Sequence, residues 1–234
     1  MGYIKKIVFV SFLLSSILVF GQARVNAVQN GANTELYFNK AITAPTYDEV
    51  IGSPYLYEDF VPARVNEITK THFVRFNVFD NSIEYKGEDG VIYSVPKTNE
   101  YVIELLDGSG KVYETHFYLD EKKATGNTFF ERLYEGGNFG LYHKEMIDFT
   151  PLKLAKTSFE PDRPARFKKT KGLFYYRNLS ADSKVLLKLP KKEKQFLRHF
   201  DAHSPALKKF IKEGDLNITD ANHLIRILEF YFAQ

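Results

Sequence analysis

The chain has no cysteine and no tryptophan among its 234 residues, and only two methionines. The missing cysteine removes disulfides, thiolate metal centres and cysteine nucleophiles together. It also removes the lipidated residue that a bacterial lipoprotein carries behind its signal. A buried core must therefore hold the fold, and a processed chain of about 210 residues is long enough to build one. Beyond Phe20 no stretch approaches the ~18 consecutive apolar residues of a membrane-crossing helix. Gly-x-Ser-x-Gly, a phosphate-cradling Walker loop, a dinucleotide fingerprint and an Asp-rich calcium loop are all missing. The sequence thus gives no reason to expect a cofactor or a metal.

What is present begins with a leader. Lys5 and Lys6 precede Ile7 to Phe20, a run of 14 residues interrupted only by Ser11, Ser15 and Ser16. Gly21, Gln22, Ala23 and Arg24 follow. Charge, apolar stretch and small residues in that order predict a cleavable secretory signal peptide over 1–22, with the mature N-terminus between Gln22 and Arg24. The protein is expected to be exported, to the periplasm, the outer envelope or the exterior.

Charge is unevenly divided along the chain. Residues 22–150 hold 12 Lys/Arg against 20 Asp/Glu, residues 151–213 hold 17 against 6, and residues 214–234 hold one against three. The middle segment is therefore strongly basic and the preceding one acidic. Such asymmetry can mark an anionic partner. The alternative, which the sequence favours, is that the two halves neutralise each other within one fold.

The pattern from Glu35 to Lys188 is of short alternating runs between turns. Val74, Phe76 and Val78 alternate with Arg75 and Asn77, and Asp80-Asn81-Ser82 turns the chain. Tyr101 to Leu106, Asp107-Gly108-Ser109-Gly110 and Lys111 to Leu119 read as a hairpin, because glycine supplies the positive φ of a tight turn. Phe129 to Tyr134 and Phe139 to Tyr142, around Gly136-Gly137, read as another. Pro151, Pro161 and Pro164 then punctuate a basic stretch that is a linker or an extended excursion. Leu173 to Arg177 and Lys184 to Leu189 make a further strand pair. After Pro190 the period becomes helical. Ser204-Pro205 opens one helix and Gly214 closes it. Thr219 or Asp220 caps the last helix, in which Leu224, Ile227, Leu228 and Tyr231 share a face. The expected fold is α+β and mainly β: an antiparallel meander, roll or sandwich over 23–190, with a tail of three short helices over 191–234 packed on it. Runs of five to seven residues and a helical end argue against an outer-membrane barrel.

The Phe20-Gly21-Gln22 end of the signal, Gly52-Ser53-Pro54-Tyr55-Leu56 ahead of Phe60, and Arg75-Phe76-Asn77 ahead of Ile83-Glu84 carry a resemblance. With the closing Leu-Pro-Lys-Lys and Phe-Ile-Lys helices, the chain resembles uncharacterised exported β-rich proteins of Bacteroidota. That resemblance implies export and a β-rich fold, and no activity.

Four groups of residues offer chemistry. Arg163, Arg166, Lys168, Lys169 and Lys171 can form an anion-binding patch. Tyr175, Tyr176 and Arg177 can form a stacking platform, although aromatics also suit strand cores. Glu114 and His116 share a strand face, with His72 on another strand, and such a cluster can do acid–base work. His199 and His203 are spaced as a metal pair without a third ligand nearby. The function expected is a non-catalytic binding or accessory module of the cell envelope, its partner another envelope protein or a surface polymer rather than nucleic acid. The alternatives are an exported hydrolase with a carboxylate/His site, and electrostatic binding of an anionic glycan, lipid surface or nucleic acid through 151–213.

Overall fold

Eleven strands and three helices follow one another in a computed structural model that describes residues 42–43, 50–68, 70–87, 89–97, 100–120, 123–155, 161–200 and 204–234. The leader, the mature N-terminus and His203 lie outside these. The strands are β1 (Ile42–Thr43), β2 (Val61–Val65), β3 (His72–Asn77), β4 (Ser82–Lys86), β5 (Ile92–Ser94) and β6 (Val102–Leu105). They continue as β7 (Val112–Asp120), β8 (Lys123–Gly136), β9 (Phe139–Thr150), β10 (Arg166–Asn178) and β11 (Leu186–Lys188). The helices are α1 (Glu193–His199), α2 (Ser204–Glu213) and α3 (Ala221–Phe232). The fold is mainly β with a helical C-terminus, as the periodicities predict.

All the strands join in one sheet of order β1-β5-β4-β3-β2-β6-β7-β11-β10-β9-β8, and β8 also pairs with β7. That last pairing closes β7, β11, β10, β9 and β8 into a ring of five strands. The pairings are antiparallel except for β11 with β7, which is parallel. The sheet is thus mostly antiparallel, as expected from consecutive strands, with one parallel seam. The chain there reaches β7 through β10 and β11 rather than through a hairpin.

Alternation of side chains sorts the ring into an inside and an outside. Tyr118, Phe130, Tyr142, Tyr175 and Leu186, one from each ring strand, pack together as its filling. On the outside, Tyr113, Phe129, Ile147 and Phe167 meet Ala63, Val65, Val74, Phe76, Ile83 and Ile103 of the N-terminal strands in a second core. Phe139, Leu141 and Tyr176 meet Phe196, Phe200, Leu207, Leu224 and Leu228 of the helices in a third. The Asp220 side chain caps α3 by accepting from the His223 amide at 3.0 Å. Leu224, Ile227 and Leu228 are fully buried, as the helical stripe requires.

Candidate functional site

The Glu114 and His116 pair lies on the inner face of the ring. Glu114 accepts from Arg132 at 2.7 Å and pairs with His116 at 2.9 Å. The His116 ring meets Tyr142 edge-on at 4.7 Å, and Tyr142 donates to Glu135 at 2.9 Å. Arg177 approaches Glu135 at 3.9 Å. These groups satisfy one another and close one end of the filling, which gives them a structural role. His72 is on β3, and β2 and β6 intervene between it and β7, so it does not join them.

Consecutive strand residues point to opposite faces, and this divides the proposed stacking platform. Tyr175 is buried in the ring interior, 1% exposed, whereas Tyr176 is buried against the helices. Tyr175, Tyr176 and Arg177 therefore offer no common exposed surface. Tyr176 also shares a hydrogen bond of 2.9 Å with His199 Nε2, which already occupies that imidazole.

The basic stretch is neither linker nor loop from Arg166 onward, because it is the first half of β10. Arg163, Arg166, Lys168, Lys169 and Lys171 are all exposed. Lys169 donates to the Leu56 carbonyl at 3.0 Å, and the Lys171 carbonyl accepts from Lys191 at 3.4 Å. Ion pairs between the acidic and basic halves do occur, as Arg177 with Glu135 and Lys184 with Glu100. Among the described residues, none of the five side chains makes one. Mutual neutralisation of the halves does not extend to them.

A different group, outside every sequence expectation, gathers on the outer face of the ring. Tyr113 lies opposite Glu131, Glu131 opposite His143, and His143 opposite Phe174. Four strands thus align four side chains in one row. Glu145 stands two residues beyond His143 on the same face, and Lys111 two before Tyr113. Lys111 Nζ is 3.0 Å from Glu131 and 4.0 Å from Glu145. His143 Nδ1 is 3.9 Å from Glu131 and 3.7 Å from Glu145. Burial works to raise the Glu131 carboxyl, but the His143 contact and the Lys111 charge outweigh it and hold it below the ordinary glutamate range. The phenol of Tyr113 is fully buried, without a hydrogen-bond partner among the described residues. Burial, then the charges of Glu131 and Glu145, push its ionisation far above the usual range.

His143 is held by two residues of β10. The Phe174 ring lies 5.0 Å from its centroid. The second is Gly172, at an irregularity of β10 between Thr170 and Leu173. A Cβ at Gly172 would collide with His143 Nε2 and with the Lys144 carbonyl. A glycine inside a strand marks such a close approach, and this was the one sequence signal that pointed here.

His143 and Glu145 form the wall of a cleft of about 370 Å³. Phe174, Leu189, Pro190 and Ile218 line it, and Lys171 and Lys191 stand beside them. It lies between the ring and the segments around the helices. Its size is at the lower end of small-molecule sites, which span about 300–1,000 Å³.

Two of the segments that carry the resemblance come together elsewhere. Arg75 binds Glu84 at 2.7 Å, and its guanidinium lies 3.6 Å from the Tyr55 ring and 4.6 Å from Phe60. Asn77 donates to the other Glu84 oxygen at 3.0 Å. This fully partnered cluster fastens residues 54–60 over the N-terminal strands. No protein-family model matches the chain, and no match to it was found among curated proteins or solved structures.

Proposed function

We propose that this chain is exported and serves as a non-catalytic binding module of the cell envelope. It holds an acidic, part-apolar group of its partner in the cleft between the ring and the helical tail. The observation that carries the reading is the cleft itself, where four apolar side chains lie beside Lys171 and Lys191. Apolar lining with a few converging polar groups is the usual make-up of a ligand site. The two ammonium groups select an anion, and Phe174, Leu189 and Ile218 accept a short hydrocarbon or aromatic portion. Export rests on the layout of 1–22, and N-terminal sequencing of the envelope fraction should find a start between Gln22 and Arg24. An intact Met1 there contradicts it.

Calorimetric titration with octanoate and octanol tests the cleft. Octanoate is expected to bind and octanol to bind more weakly. A variant with Lys171→Glu and Lys191→Glu should lose octanoate affinity by roughly tenfold or more, equivalent to about 1.4 kcal/mol. Equal affinity of that variant for octanoate contradicts the reading. The His143–Glu145 pair on the wall favours a second reading, an exported hydrolase using these groups as acid and base. Turnover of a p-nitrophenyl ester panel that disappears in His143→Ala supports it, and turnover unchanged by that substitution excludes it.

A further inference from the structure

We propose that Glu131, His143 and Glu145 form a binding site for a zinc-class divalent cation beside the cleft that His143 and Glu145 line. Sequence reading does not reach this site, because its metal-like spacing was His199 with His203. The inference does not depend on the organic ligand, since the site is built by β8 and β9 alone.

The donor chemistry comes first. One imidazole nitrogen and two carboxylates lie within 4.8 Å of one another. Zinc sites with an exchangeable position use three protein ligands of this kind, at about 2.0–2.2 Å from the metal. Donors so bound stand roughly 3.3 Å apart, so the present groups must close by up to about 1.5 Å. Rotation of two glutamate side chains supplies that movement. His143 needs none, because Phe174 and Gly172 already fix its ring with Nδ1 toward the carboxylates.

The second observation is the Tyr113 hydroxyl. It is wholly buried, lacks a partner among the described residues, and belongs to the residue directly opposite Glu131 on the same face. A buried hydroxyl without a hydrogen bond leaves its desolvation uncompensated. Glu131 sits across the β7–β8 pairing from this residue, so its carboxylate is the one placed to accept from the hydroxyl once it turns to ligate a metal. Ligating carboxylates ordinarily hold such an outer hydrogen bond. Tyr113 thus has a place in the metal-bound arrangement that it lacks in the metal-free one.

Lys111 is the resident cation and must yield. Its ammonium supplies one positive charge to two carboxylates, and a divalent ion supplies two. Asp107, four residues earlier in the same hairpin, already feels the Lys111 charge and offers it another partner. His143 and Glu145 line the cleft, so the ion enters from that side and its open position faces it.

The test is titration of the purified protein with zinc alone against a competing indicator, and with cobalt(II) read by visible absorption. Wild type should bind one ion. Lys111→Met, which removes the resident cation, should bind at least tenfold more tightly. His143→Gln should lose the cobalt band, and Tyr113→Phe should weaken binding by about 10–100-fold. Melting curves without metal establish that each variant is folded. Any variant that is not folded is replaced by Glu145→Gln, which should also lose the band. The proposal is overturned if neither wild type nor Lys111→Met binds zinc below about 1 mM, a free energy near 4 kcal/mol. It is equally overturned if the cobalt spectrum survives in His143→Gln or Glu145→Gln.

Discussion

At Asn81 the backbone turns with φ of 49°, a region that asparagine tolerates better than most residues. The sequence marks this position as a turn but not what the side chain does there. Its amide accepts from the Phe129 amide at 2.9 Å and donates to the Phe129 carbonyl at 3.1 Å, tying the N-terminal strands to β8. Gly172 is the matching case at the cleft, where the absent Cβ makes room for His143. Gly172→Ala should destabilise the fold by about 1–3 kcal/mol, as overpacking does, in a denaturant melt. A melt unchanged within error would show that His143 has room to move. His72 gives a pH dependence. Burial and then Lys70 hold its folded pKa below 6.5, and its Nε2 is buried without a partner among the described residues. His199 is lowered as well, by burial. A depressed histidine resists protonation in the folded state while the unfolded chain accepts the proton. The stability is therefore complete above the unfolded value and falls as pH drops below 6.5. Thermal melts between pH 8 and 5 should show this fall, and His72→Leu should flatten it. A flat wild-type profile over that window contradicts the burial argument.

Among the elements, the hairpins and helices were legible because their signals are local. Gly108 and Gly110, at φ of 84° and 68°, make the turn expected between β6 and β7. Pro205 and Gly214 bracket α2, and Asp220 begins α3. Strand length was not legible. β8, β9 and β10 run for 14, 12 and 13 residues, well past the runs of alternating apolar residues. In the first half of β10 the charged Arg166, Lys168 and Lys169 surround the buried Phe167, so the alternation is hidden under surface charge. The parallel seam of β11 with β7 was equally hidden, since no local signal records which distant edges meet. The helical tail supplies the test at this scale. Leu228 is completely buried among the helices and the outer face of β9 and β10. Leu228→Asp should cost several kcal/mol, about 3–5, as for an unpaired charge in a core. An unchanged melting temperature would show that the tail is not docked.

At the scale of the whole molecule, the charge division and the cleft make separate claims about where an anion binds. Arg166, Lys168 and Lys169 lie along the first half of β10, while Lys171 is beside the cleft with Lys191. Replacing Lys168 and Lys169 with Glu should move the melting temperature little, since exposed charges contribute about 0–1 kcal/mol each. It should also leave octanoate affinity within about twofold, because neither side chain lines the cleft. A tenfold loss would instead assign the anion to the β10 strand. The cleft residues themselves were hardly legible, because Glu131, His143 and Glu145 are far apart in the chain or separated by one residue on a strand. Only their alignment across β8 and β9 makes a site. The most direct measurement is an amide NMR titration of the isotopically labelled protein with octanoate. Saturable shifts should be centred on Lys171, Gly172, Lys191 and Thr219, with Arg166 and Lys168 unmoved. Shifts centred on Arg163, Arg166 and Lys168, with the cleft amides stationary, would contradict the account.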